Sequence, residues 1–300
     1  MSNENENQQP KHQGHQTVII GKDGKVHTPA IRFYLALGCN LKCKHCIYAF
    51  RQGIIPKETL IDSFEKWNRK LSPELIILYG GEPLLNPEIA DIVIAVKHYW
   101  QQSQCLIFTN GILLPRLPDS TLQVFAENNV QVHISQHIVT QEYRDTLKQS
   151  LFLLGQFGIK YSIANAFRNW HRTYDIDNDG VPMPCQSDMK TAYKNCTAKY
   201  CTLVHGNYLY RCVGLANKIM AAEAGIIGQE WNDRVLTHKP VTFESSPKEI
   251  CDYLLKKAVP ECSVCPETRE SVEHSQLSTE EVTAIKSCIA ERNKSKQEQT

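Results

Sequence analysis

Five short apolar runs, separated by stretches with helical spacing, organise the first half of this chain. Ile31–Leu37 is compact, rich in aromatic residues and ends at Gly38. Leu75–Tyr79, Cys105–Thr109, Val130–Ser135 and Ile159–Ile163 follow it. Runs of this length, bounded by turn residues, are buried strands rather than helices. Between them Leu60, Ile61, Phe64, Trp67 and Leu71 recur at helical spacing, and Ser72-Pro73 is expected to stop that helix. Asn86 and Pro87 suit an N-cap and first helical position ahead of Ile89, Ile92, Val93 and Val96. Leu122, Val124 and Phe125 mark a short helix, and Tyr143, Leu147, Leu151 and Leu154 a longer one. Strands that alternate with helices build a parallel sheet with crossover helices, whose two covered faces make each strand nearly continuous in apolar residues. The expected fold class is therefore α/β, with chemistry on the loops beyond the carboxyl ends of the strands.

Elsewhere the pattern is weaker. Residues 1–28 read as a disordered polar tail, and 165–200 as irregular. Thr202–Arg211 resembles a hairpin around His205-Gly206-Asn207. Residues 216–260 are weakly patterned, and Glu281–Ile289 suggests a C-terminal helix before a frayed end. Lys and Arg number 33 against 32 Asp and Glu, a formal net charge of +1. So balanced a chain has no global drive toward phosphate backbones or anionic lipid, and no nucleic-acid or membrane partner is expected. No apolar run nears the roughly 18 residues that span a bilayer. The N-terminal residues lack the apolar segment of a signal peptide, so a cytoplasmic location is expected. The sequons at Asn195 and Asn293 then carry little weight.

Cysteine is the outlier, with 12 residues. In a reducing compartment so many thiols point to metal or redox work rather than disulfides. Directly after the first strand, Gly38 precedes Cys39, Cys43 and Cys46. Thiolates so closely spaced on one loop can face a common centre. Three of them cannot complete the four ligands of a cubane cluster, which leaves one iron open. Structural zinc with His45 as fourth ligand, sterically poor between two ligands, is the alternative, and unliganded thiols are another. Gly80-Gly81-Glu82-Pro83 ends the second strand. Two glycines let backbone approach a ligand closely, and a carboxylate can accept from an ammonium group. Alone, this motif is a turn.

Taken together, the CxxxCxxC loop after strand one and Gly80–Pro83 after strand two resemble the radical S-adenosylmethionine (radical SAM) superfamily, over residues 31 to about 165. The resemblance implies a partial (β/α)6 TIM-like barrel, with the core over residues 29–175. Cys39, Cys43 and Cys46 would hold a [4Fe-4S] cluster whose fourth iron binds the amino and carboxylate groups of S-adenosylmethionine. Gly80, Gly81, Glu82 and Pro83 would line the site of its ammonium. Thr109-Asn110-Gly111 and Ser135 sit where similar proteins contact its methionine and ribose. His45, in a position usually aromatic, would pack on adenine. One electron, from a donor such as flavodoxin or ferredoxin, would cleave the sulfonium and give a 5′-deoxyadenosyl radical that removes hydrogen from substrate.

Cys196, Cys201, Cys212, Cys262 and Cys265 form a second set. Cys201 and Cys212 flank the hairpin, and Cys262-Ser-Val-Cys265 can chelate one centre. The arrangement resembles the twitch or SPASM caps that hold an auxiliary [4Fe-4S] cluster. It implies a small C-terminal cysteine-rich cap over 176–270, with a C-terminal helix and tail over 271–300. The interval from Gly206 to Cys212 is one residue longer than the usual pattern. Cys196 competes with Cys201 as first ligand, and zinc is the alternative metal. Asp175–Gly180 matches the start of an EF-hand loop but lacks its closing glutamate, having Gln186 there, so it reads as an acidic turn. His137 and Arg168 would face the substrate space. Cys185 is a weak candidate to donate a hydrogen atom to a substrate radical; Cys105, Cys251 and Cys288 read as packing residues. The expected function is a radical SAM enzyme of oxidoreductase type acting on a small molecule or sugar, its auxiliary cluster binding substrate or accepting an electron. The polar tail offers no domain to hold a leader peptide, which leaves a ribosomal-peptide maturase as the alternative. A zinc-stabilised binding module without catalysis is the alternative of a different class.

Overall fold

The described residues begin with an antiparallel ribbon. In the computed structural model, which describes residues 17–168 and 170–297 apart from the side chains of 296 and 297, β1 (Ile19–Ile20) pairs with the start of β2 (Val26–Ala36). The first 16 residues of the expected tail lie outside the described residues. Residues 17–28, however, are not tail. Val18, Val26 and Thr28 are buried, and the polar residues between them hid a strand that starts five residues before Ile31.

Strand and helix then alternate as expected: α1 (Lys57–Asn68), β3 (Leu71–Gly80), α2 (Ile89–Tyr99), β4 (Gln104–Thr109), α3 (Asp119–Glu127), β5 (Gln131–Ser135), α4 (Gln141–Gln156) and β6 (Tyr161–Ala164). β2 through β6 pair in parallel in chain order, with Phe33 opposite Leu78, Ile76 opposite Cys105, Ile107 opposite Val132 and Ile134 opposite Ile163. Ser72 and Pro73 do not terminate α1. They lie inside β3, and β4 pairs with β3 only from Leu75 onward, so the missing N–H of Pro73 breaks no bond on that side. The apolar stripe of α1 is buried at Leu60, Phe64 and Trp67, with Phe33 packed edge-on to Phe64 at 4.7 Å.

The second half departs further from expectation. A two-stranded ribbon, β7 (Asp175–Ile176) and β8 (Pro182–Met183), leads to α5 (Met189–Asn195) and a hairpin, β9 (Leu203–His205) and β10 (Tyr208–Tyr210). That hairpin does not form a separate cap. β9 pairs in parallel with β2, Arg32 opposite Leu203, and the main sheet runs β11-β10-β9-β2-β3-β4-β5-β6, where β11 is Val241–Thr242. Six parallel strands therefore lie side by side, and the sheet is open. Trp67 Nε1 and Ser63 Oγ both donate to the Gly206 carbonyl, which fastens the hairpin turn to α1.

Next come α6 (Val213–Glu223), α7 (Asn232–Val235), α8 (Pro247–Leu255) and α9 (Thr279–Gln297). Neither α6 nor α8 was expected. All but Gly214 and Glu223 of α6 are buried, and a helix buried all round shows little amphipathic signal. α9 is longer than expected, and buries Val282, Ile285 and Ile289. Its Arg292 takes the carboxylates of Asp177 and Asp179 at 2.6 Å each, so the EF-hand-like turn is an ion-paired corner. Among the described residues, no helix is long and apolar enough to cross a membrane.

Asn86 caps nothing in the way its sequence position implied, because α2 begins at Ile89. It is fully buried, its Nδ2 donates to the carbonyls of Leu35 and Ile55, and its Oδ1 accepts from Glu88 N. An Asn86→Ala variant removes two buried hydrogen bonds to carbonyls and is expected to lose about 2–4 kcal/mol, measured by denaturant unfolding. A loss under about 0.5 kcal/mol would refute this role.

Candidate active site

The first cysteine loop leaves β2 at Leu37 and is fixed by the end of β3. Gly81 N donates to Ala36 O and Glu82 N to Gly38 O, each at 3.0 Å. Gly80 has a φ of 151°, open to glycine alone, and a β-carbon on it would overlap Ala36 O; one on Gly81 would overlap Gly38 O. The two glycines thus admit the cysteine loop's own backbone as well as facing the cavity. Cys43 is buried, and Cys39 and Cys46 nearly so. Burial pushes the Cys39 thiol up to about 11 and Cys46 up to about 12, and raises Cys43 further with help from its two neighbours. His45 stands in the left-handed region at φ 64°, its ring centre 6.0 Å from Tyr174.

All three cysteines line one cavity of about 570 Å³, together with His45, Gly80, Gly81, Thr109, Asn110 and Ser135. Nine positions singled out in the sequence thus meet in one space. Glu82 and Pro83 do not line it. The Glu82 side chain is fully buried and faces away, accepting from Thr109 Oγ1 at 2.7 Å, Asn110 N at 2.8 Å and Leu84 N at 3.1 Å. A carboxylate so occupied is not free for an ammonium group. Its work is to set the turn after β4, where Asn110 Nδ2 reaches Asn40 of the cysteine loop at 2.7 Å. His137 also lines the cavity; Arg168 does not, and its guanidinium lies over Phe167.

The second cysteine set resolves into four and one. Cys196, Cys212, Cys262 and Cys265 line a small separate cavity of about 30 Å³. Cys196 ends α5, Cys212 caps α6 through its sulfur, which accepts from Leu215 N, and Cys262 lies within a turn at 260–264 that Cys265 closes. The Cys201 carbonyl accepts from Val213 N, the residue after Cys212, and Cys201 lines the large cavity instead. Burial raises the thiols of Cys196 and Cys262, and raises Cys212 to about 12. The ammonium of Lys218, itself lining the large cavity, lies 2.8 Å from Cys265 Sγ.

Among the described residues, the one trio of His, Cys or carboxylate ligand atoms within 4.8 Å of one another is Cys43, His137 and His274. Cys185 is buried and is not among the residues that line the large cavity. Cys105 and Cys251 are buried packing residues, as expected.

Sequence reasoning missed Arg32, Tyr48, Tyr79, Trp170, Tyr174 and Lys218, which complete the large cavity's wall. Arg32 alone left a signal: a cation inside an apolar strand covered on both faces.

The profile of the Radical SAM superfamily matches residues 33–152. The chain is 33% identical over 104 residues to GTP 3',8-cyclase of Clostridium acetobutylicum, covering 33% of this chain and 32% of that protein. It is 32% identical over 99 residues to human molybdenum cofactor biosynthesis protein 1, covering 31% and 15%. The chain therefore spans a third or less of these relatives. Among solved structures it is similar to BtrN in complex with AdoMet and 2-DOIA, at 17% identity and TM-score 0.47, over 83% of this chain and 98% of that one. SuiB of Streptococcus suis bound to precursor peptide SuiA follows at 14% identity and TM-score 0.38, over 78% and 66%.

Burial pushes the Glu82 carboxyl up to about 7 from an ordinary 4.5, against three donors that favour its ionised form. The native state then binds this proton more tightly than the unfolded chain between pH 4.5 and about 7, so the contribution to stability is complete below that window and is lost as pH rises through it. Relative to Glu82→Gln, the wild-type protein should lose melting temperature as pH rises from about 5 to about 8. A wild-type-to-variant difference independent of pH would refute this.

Proposed function

Residues 33–152 being a radical SAM domain, we propose that this protein reductively cleaves S-adenosylmethionine and abstracts hydrogen from a small-molecule or sugar substrate held in the 570 Å³ cavity. Radical SAM enzymes use a [4Fe-4S] cluster and S-adenosylmethionine. The observation that carries the reading is the convergence of Cys39, Cys43, Cys46, Gly80, Gly81, Thr109, Asn110 and Ser135 on that one cavity. Three thiols there would hold the cluster and leave one iron open, a donor set that fits. When bound, the cluster supplies the electron and the sulfonium compound the adenosyl radical.

The chain's own residues do the rest. The backbone of Gly80 and Gly81 and the turn at Thr109-Asn110 would orient the methionine portion, and Ser135 the ribose. His45 and Tyr174 would flank the adenine. Trp170, with the segment of 271–277 packed beside it, covers the cluster loop: Trp170 Nε1 donates to Lys44 O, Lys44 N to Ser275 O, and Leu277 N to Lys42 O. Such cover would keep water and competing hydrogen donors from the radical. Cys196, Cys212, Cys262 and Cys265 would hold an auxiliary [4Fe-4S] cluster in the region that follows β6; four thiols around one void suit it, and Cys201 is left out. A flavodoxin or ferredoxin would supply electrons. The relatives named GTP 3',8-cyclase share too little of their length to extend the reading to their substrate.

Anaerobically reconstituted protein should hold roughly eight irons per chain. Cys39→Ala, Cys43→Ala, Cys46→Ala in one variant should remove about half of them and abolish cleavage of S-adenosylmethionine, followed by chromatography of 5′-deoxyadenosine. Cys196→Ala should also remove about half, whereas Cys201→Ala should leave the iron count unchanged. Retained cleavage in the triple variant, or a colourless protein with zinc alone, would overturn the reading.

A further inference from the structure

The large cavity is unbalanced in charge. Among the described residues no carboxylate side chain lines it, while two permanent cations do, Arg32 and Lys218. Arg32 lies four residues before the end of β2, level with Ile77 of β3, well inside the sheet's carboxyl edge. Its Nη1 is buried and has no hydrogen-bond partner. A guanidinium edge taken from water and left without an acceptor is costly, and a bound anion would repair it with a paired N–H···O contact.

Lys218 is more than nine-tenths buried. An ammonium has three N–H groups; Cys265 takes one, and the Trp231 ring covers another side at 5.8 Å. Its neighbour Asn217 accepts from Tyr34 Oη at 2.8 Å and from Arg51 Nη1 at 3.4 Å. Tyr34 is two residues beyond Arg32 on the same face of β2. α6 is thereby locked over the strand that carries Arg32, and both cations are held on opposite elements of one chamber.

We infer that the substrate carries an anionic group, a carboxylate or a phosphate, received by Arg32 and Lys218. This deepens the radical SAM reading and rests on it for the chamber's other occupant, S-adenosylmethionine, which brings a carboxylate of its own.

The test uses anaerobically reconstituted protein saturated with S-adenosylmethionine, titrated calorimetrically with inorganic phosphate or acetate at constant ionic strength. At least one anion should bind saturably. Arg32→Gln and Lys218→Gln should each weaken it at least about tenfold, and Arg32→Lys should recover part of the loss. Preference for phosphate supports a phosphorylated substrate, and preference for acetate a carboxylic acid. Saturable binding of neither anion, unchanged binding in Arg32→Gln, or binding seen only without S-adenosylmethionine would overturn the inference. Cleavage of S-adenosylmethionine by the wild-type protein is measured alongside: its absence strikes the radical reading, whatever the anions do.

Discussion

Gly81 packs so closely on Gly38 that the end of β3 and the start of the cysteine loop share one backbone seam. Everything at the cavity mouth depends on that seam. Because no side chain separates the two strand ends, Ala36 O and Gly38 O both find N–H partners on the neighbouring strand, and the loop leaves the sheet in one direction only. Asn86 extends the seam inward, binding the carbonyls of Leu35 and Ile55 and so tying both ends of the loop to the same point. Thiols held by a seam of this kind stay together without disulfides, since the cost of ordering the loop is met by backbone bonds rather than by the sulfurs.

A second consequence is that the two cysteine sets are not independent modules. β9 pairs with β2, its turn is bonded by Trp67 and Ser63, and Cys212 then caps α6 directly beyond β10. The strand that delivers the first set therefore also positions a thiol of the second. In the other direction, the segment after Cys265 returns across the first loop, with Ser275 and Leu277 bonded to Lys44 and Lys42. Gln276 Nε2 reaches Cys43 Sγ at 3.7 Å. Displacing either set would pull on the walls of the other.

Much of this was legible in the residues. The five strands, the four crossover helices and the first cysteine loop follow from apolar runs and thiol spacing, which depend on local order alone. What escaped was set by tertiary contact. β2 started early because Val26 and Thr28 face the core through polar neighbours, and α6 had no stripe because almost every face is covered. Cys196 and Cys201 are five residues apart on a loop, and only the packing of α5 against the 260–264 turn decides which one faces the smaller cavity. Glu82 shows the same limit in chemistry: its place beside two glycines suggested a ligand contact, but three nearby donors claim the carboxylate.

That diversion of Glu82 bears on what the chamber can hold. A carboxylate projecting into the cavity would lie near the Cys39 thiol, where like charges repel and raise each other's proton affinity; Glu82 already contributes to holding the Cys39 thiol up from behind the turn. Turned away and bonded to Thr109 and Asn110, it leaves the lining with thiols, imidazoles and aromatic rings, so the field of Arg32 reaches the cavity with no carboxylate, among the described residues, to oppose it, while the Cys265 sulfur meets the Lys218 ammonium on one side. In a space shielded from water such fields decay slowly, and a small number of fixed cations outweighs the near-zero net charge of the whole chain in selecting what enters.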